Sequence, residues 1–140
     1  MQANFYHLKT NQAKVGCIID IAMHAIDTAQ KLLIVVSSAE AAQYIENALW
    51  SFRHESFLPS IITNQPNTNG IVITTQQQTN LNNAHNLLNL CQSISPLYTQ
   101  VKVIHEIYDL SNDQRKQSSQ TRLDFYISQN ITIEHSSNYA

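Results

Sequence analysis

The sequence has 140 residues, 43% hydrophobic and only 13% charged, with a formal net charge of −2. That length fits a single domain with a sizeable core, and roughly a fifth of the residues are Asn or Gln, so polarity comes largely from uncharged amides. Eight Lys and Arg residues spread along the chain exclude the clustered basic surface that phosphate-driven nucleic-acid binding needs, and contact with DNA is expected to be indirect.

Asn4 to Leu8 is short and aromatic-rich and reads as an opening strand. Val15, Ile18, Ile19, Ala22, Ile26 and Ala29 then recur at helical spacing through about Gln30. Leu32 to Val36 is a continuous apolar run bounded by Ser37 and Ser38, as expected of a buried central strand. Ser37 with Glu40 is spaced as a capping box for a second helix, whose Ala41, Ile45, Ala48 and Phe52 share a face and which ends near Trp50 to Phe52. Arg53 to Pro59 reads as irregular, Ile61 and Ile62 as the start of a short strand, and Asn64 to Gly70 as a turn or loop.

Ile71 to Thr75 reads as a strand, followed by a low-complexity amide tract, Gln76 to Asn83, expected to be a mobile surface loop. Leu87 to Leu90 and Val101 to Tyr108 are two further strands by β-branched content and partial alternation. Ser111 and Gln114 have capping-box spacing, and residues 112–129 lack Gly and Pro, so a long helix follows, with Asn130 as a left-handed C-terminal cap. Ile131 to Glu134 closes the chain as a strand, leaving His135 to Ala140 as a frayed tail. This alternation predicts one three-layer α/β/α domain over residues 1–140 with a mostly parallel or mixed central sheet, Rossmann-like but without a nucleotide site.

Catalytic signatures are sparse. The only glycines, Gly16 and Gly70, cannot build a dinucleotide fingerprint or a P-loop. The six histidines, at positions 7, 24, 54, 85, 105 and 135, show no metal-ligand spacing, so a metal site is not predicted, although the fold can still bring some together. Asp20, His24 and Asp27 read as a solvated helix face, Ser56 lacks the flanking glycines of a nucleophile elbow, and Cys91 reads as a small buried hydrophobe. Cys17 and Cys91 suggest neither disulfide nor zinc, and with no signal segment or bilayer-length apolar run the expectation is a soluble protein of a reducing cytoplasm. The catalytic alternative is a small α/β enzyme using His24, His54 or His105 as general base, which a pocket holding two such groups with a perturbed pKa would support.

Several segments resemble a known family in order, spacing and residue type: Leu33-Ile34-Val35-Val36, Ala48-Leu49-Trp50, Glu55-Ser56-Phe57-Leu58-Pro59, and then Leu87 to Leu90, Glu106 to Asp109, Arg122 and Phe125-Tyr126. Together with Asn4-Phe5-Tyr6 they resemble the chi subunit of bacterial DNA polymerase III. The resemblance implies a non-catalytic adaptor of the clamp-loader assembly, without a cofactor. One surface grips the psi subunit or an accessory helicase, and another holds the acidic C-terminal tail of single-stranded DNA-binding protein. The first surface is expected at Trp50, Phe57 and Pro59, since an aromatic at a helix end beside a Phe- and Pro-bearing loop can form an apolar patch; read alone the residues favour Trp50 in the domain's own core, and the resemblance turns the expectation toward the patch.

For the second surface the resemblance points to Lys116, Gln120, Leu123, Asp124 and Ile127 on one face of the last helix. Relatives carry several basic side chains there, whereas only Lys116 is basic here, so the tail is expected to bind weakly or at a reshaped site. Arg122 points away from that face, inward, as a structural residue. A divergent chi-fold protein with another partner is the remaining alternative.

Overall fold

In the computed structural model, residues 1–52 and 60–137 are described. Among the described residues there are seven strands and three α-helices, with four strands in succession between α2 and α3: β1 (Gln2–Leu8), α1 (Asn11–Asp27), β2 (Leu32–Val35), α2 (Ala39–Phe52), β3 (Ser60–Ile62), β4 (Ile71–Thr74), β5 (Asn86–Asn89), β6 (Val103–Asp109), α3 (Asp113–Ser128) and β7 (Thr132–Ser136). The strands form one sheet in the order β3-β4-β2-β5-β6-β1-β7. Every strand pairing is parallel, which explains why β2, β4 and most of β6 are buried on both faces.

Strand alternation divides the core into two layers. Tyr6, Leu8, Leu32, Ile34, Ile71, Ile73, Leu88 and Ile107 face α1 and α2 through Cys17, Ile18, Ile21, Ile45 and Leu49. Phe5, Leu33, Val35, Val72, Leu87, Ile104 and Tyr108 face α3 and the segments before it, through Leu81, Leu97, Leu123 and Tyr126. From β2 the chain leads through α2 toward one edge of the sheet, and from the adjacent β5 it leads toward the other. The carboxyl ends of β2 and β5 therefore make a topological switch point, where open α/β sheets leave a crevice.

The helix ends follow side-chain chemistry one residue away from the expected boxes. Ser38, not Ser37, caps α2, its Oγ accepting from the Ala41 N–H at 3.1 Å. Asn112, not Ser111, caps α3 by accepting from the Arg115 N–H at 2.8 Å, because Ser111 is turned back onto the Asp109 carboxylate. Asn130 does adopt the left-handed conformation, with φ 60°, and the Ile131 N–H returns to the Tyr126 carbonyl. β7 reaches Ser136, two residues into the stretch read as a frayed tail, since His135 pairs with Phe5 and Ser136 with Tyr6. The amide tract after β4 is also more tied down than expected. Leu81 and Asn82 are buried, and Asn82 Nδ2 donates to the carbonyls of Leu32 and Asn69. A short 3-10 helix, Pro96–Gln100, was not foreseen; Ser95 caps it and its Leu97 is buried in the α3-side layer.

Candidate functional site

Helix α2 turns Ala42, Ile45 and Leu49 into the core and leaves two large aromatics in solvent: Tyr44 is 59% exposed and Trp50 55%. At about 100° per residue they stand roughly 120° apart around the axis. Trp50 shares its stripe with Gln43 and Asn47, which hydrogen-bond each other at 2.9 Å, while Tyr44 turns toward the switch-point crevice. Phe57 and Pro59, expected beside Trp50, lie outside the described residues, as do His54 and Ser56.

On α3 the expected five-residue face divides. Lys116, Gln120, Asp124 and Ile127 are exposed, but Leu123 is only 7% exposed and belongs to the core. The reason is the spacing Ser119, Arg122, Leu123 and Tyr126, an i, i+3, i+4, i+7 stripe that packs on the sheet with Leu123 at its border. Gln120 is held at both ends of its amide, accepting from the Tyr108 hydroxyl at 2.5 Å and donating to Asp124 Oδ1 at 2.8 Å. The outward face thus presents Lys116, Asp124 and the 54% exposed Ile127, with one charge of each sign.

Arg122 is buried and structural. Its Nε lies 3.0 Å from Glu106 Oε1, while Nη1 donates to the Gln92 carbonyl at 2.8 Å and Nη2 to the Ile107 carbonyl at 3.1 Å. Glu106 Oε2 also accepts from Tyr126 Oη at 2.7 Å and Asn89 Nδ2 at 3.0 Å. Burial pushes the Glu106 carboxyl up, with the guanidinium and these donors pulling against it. The network joins β5, β6 and α3, so its chemistry is that of a fold-specifying pin.

The switch-point crevice encloses about 620 Å3 between Lys14, Tyr44, Asn89, Asp109, Asn112 and Arg115. Among the described lining residues the carboxylate is Asp109, and it is saturated: it accepts from Lys14 Nζ at 2.7 Å and from both the backbone and hydroxyl of Ser111, with Arg115 at 3.8 Å. Partial burial pushes that carboxyl up, but the bonds from Lys14 and Ser111 outweigh it and hold the group below its ordinary value.

A second hollow of about 400 Å3, at the amino ends of the strands, holds His24 and His105 together, with Asp20, Tyr6 and Asn86. This pairing is the arrangement the catalytic alternative called for, and His105 is indeed perturbed, lowered to about 4 by burial and then by His24. Its hydrogen bonds remove the lone pair a base needs. Nε2 must donate to the Asn86 amide oxygen at 3.3 Å, which leaves Nδ1 as acceptor for the Tyr6 hydroxyl at 2.8 Å. The imidazole is a neutral, doubly bonded wall.

Both thiols are buried; burial, then Asp20, raises Cys17 to about 12, and burial followed by Glu106 raises Cys91, so neither is an activated nucleophile. Among the described residues, no three His, Cys, Asp or Glu side chains converge as metal ligands, and no helix is long and apolar enough to cross a membrane. Sequence reasoning missed Tyr44 and the contact of His7 with His135, which only the pairing of β1 with β7 creates.

No curated protein matches the sequence. The family described as DNA polymerase III chi subunit, HolC, matches residues 1–134, nearly the whole chain. The parallel α/β sheet, the buried chemistry and the aromatics left outside on α2 therefore belong to a member of the DNA polymerase III chi subunit family, an accessory subunit of the replicative polymerase.

Proposed function

We propose that this chain is a non-catalytic adaptor of the DNA polymerase III holoenzyme, working in the bacterial cytoplasm, that links the clamp loader's psi subunit or an accessory helicase to single-stranded DNA-binding protein. The observation that carries this reading is Trp50, 55% exposed on a helix whose inward face is already satisfied by Ala42, Ile45 and Leu49. A Trp that contributes little to its own core is a natural anchor for another protein, because burying it on binding removes a large apolar area from water. Phe57 and Pro59 complete this docking patch in the proposal. Its second surface, on α3, takes the acidic tail weakly: Lys116 attracts it, Asp124 opposes it, and Ile127 offers apolar contact while Leu123 supports the face from within the core.

Of the bases the catalytic alternative names, His105 has no free lone pair, His54 lies outside the described residues, and His24 lines the hollow at the amino ends of the strands. Titration calorimetry of psi or the candidate helicase into wild type and Trp50→Ala tests the reading. The expected loss is about 2 kcal/mol or more of binding with the circular dichroism spectrum unchanged. Unaltered affinity would defeat it, and unfolding of the variant would return Trp50 to a structural role.

A further inference from the structure

We propose that His7 and His135 form a two-imidazole site for a divalent transition-metal ion of the Zn2+, Ni2+ or Cu2+ class, which clasps the edge strand β7 to β1. The sequence holds these residues 128 positions apart and offers no ligand spacing, so only the sheet creates the pair. β7 pairs with β1 in the register Phe5 to His135. His7, two residues beyond Phe5, projects from the same sheet face. Its Nε2 comes to 2.9 Å from His135 Nδ1.

The geometry is close to that of a metal ligand set. Metal–nitrogen bonds of about 2.0–2.1 Å in a tetrahedral shell separate two ligand nitrogens by roughly 3.3 Å, so an opening of about 0.4 Å admits the ion. The plane of His7 is fixed in advance, because its ring stacks on Tyr108 with centroids 4.5 Å apart and planes 19° from parallel. Tyr108 is itself anchored through its hydroxyl to Gln120. The pair lies at the surface, so water can complete the coordination that two protein ligands begin.

Asp109 already engages Lys14 and Arg115 in the switch-point crevice, and His105 spends both ring nitrogens on Asn86 and Tyr6. The His7–His135 pair has only one proton to share across its contact, and an ion can replace that proton.

Isothermal titration of ZnCl2, NiCl2 and CuSO4 into the purified chain, with imidazole proton NMR, tests the site independently of the adaptor role. One saturable site is expected, tightest for Cu2+, with the resonances of two histidines shifting together. His7→Gln and His135→Gln should each weaken binding at least about tenfold, while His24→Gln leaves it unchanged; circular dichroism checks that each variant is folded. Absence of saturable binding in wild type would overturn the proposal. So would retained affinity in a folded His135→Gln variant, or loss in His24→Gln, either of which assigns the ion to scattered surface imidazoles.

Discussion

Replacing Arg122 by Met tests whether the buried network pins α3 to the sheet. Met fills much of the volume of the Arg stem but removes the guanidinium that faces Glu106 at 3.0 Å and the carbonyls of Gln92 and Ile107. Glu106, fully buried, is left with Tyr126 and Asn89 as donors and no countercharge. Breaking a buried pair from one side costs about 3–5 kcal/mol, a large share of the roughly 5–15 kcal/mol that holds a domain together.

The loss has a definite pH dependence. A carboxyl whose folded pKa is raised, as burial raises Glu106, loses stability as pH climbs from its unfolded value of about 4.3 through its folded one. Removing Arg122 takes away a downward pull, so the deficit of Arg122→Met should be larger at pH 7 than at pH 5. Urea unfolding followed by circular dichroism at both pH values gives the numbers. Glu106→Gln combined with Arg122→Met should recover about 1–3 kcal/mol relative to the sum of the single variants. A loss below about 1 kcal/mol for Arg122→Met, or a deficit independent of pH, would refute the argument.

Asp109→Asn should flatten the acid limb of the stability profile. The folded Asp109 pKa is lowered, so its contribution is present above the unfolded value of about 3.9 and disappears as pH falls through the folded one; acid unfolding of the two proteins should converge at low pH. Gln120→Arg should tighten binding of the host's acidic tail peptide about tenfold or more, since one charge-assisted bond contributes on the order of 1.5–3 kcal/mol. Fluorescence anisotropy measures it, and no change would move the tail site off α3.

Much of the fold was legible because its signals are local. The apolar runs at β2 and β4 and the helical spacing in α1 each determine an element without reference to the rest of the chain. Cap identities were missed by one residue because Ser37 and Ser38 are chemically alike, and Ser111 was drawn away by Asp109, a competition that only folded geometry decides. Leu123 looked like part of an outward face since it lies within about 20° of Lys116 around α3, at the border of the buried stripe. Arg122 was legible as an inward residue; its partner Glu106 was not, because the pairing needs β6 and α3 in place.

The most direct test of the adaptor claim is a bridging measurement. Single-stranded DNA-binding protein is immobilised, and retention of psi or the candidate helicase is recorded with and without this chain. Retention is expected only when the chain is present, lost when the acidic tail is deleted and reduced by Trp50→Ala. Retention that does not require the chain, or none when both partners are saturating, would contradict the adaptor claim.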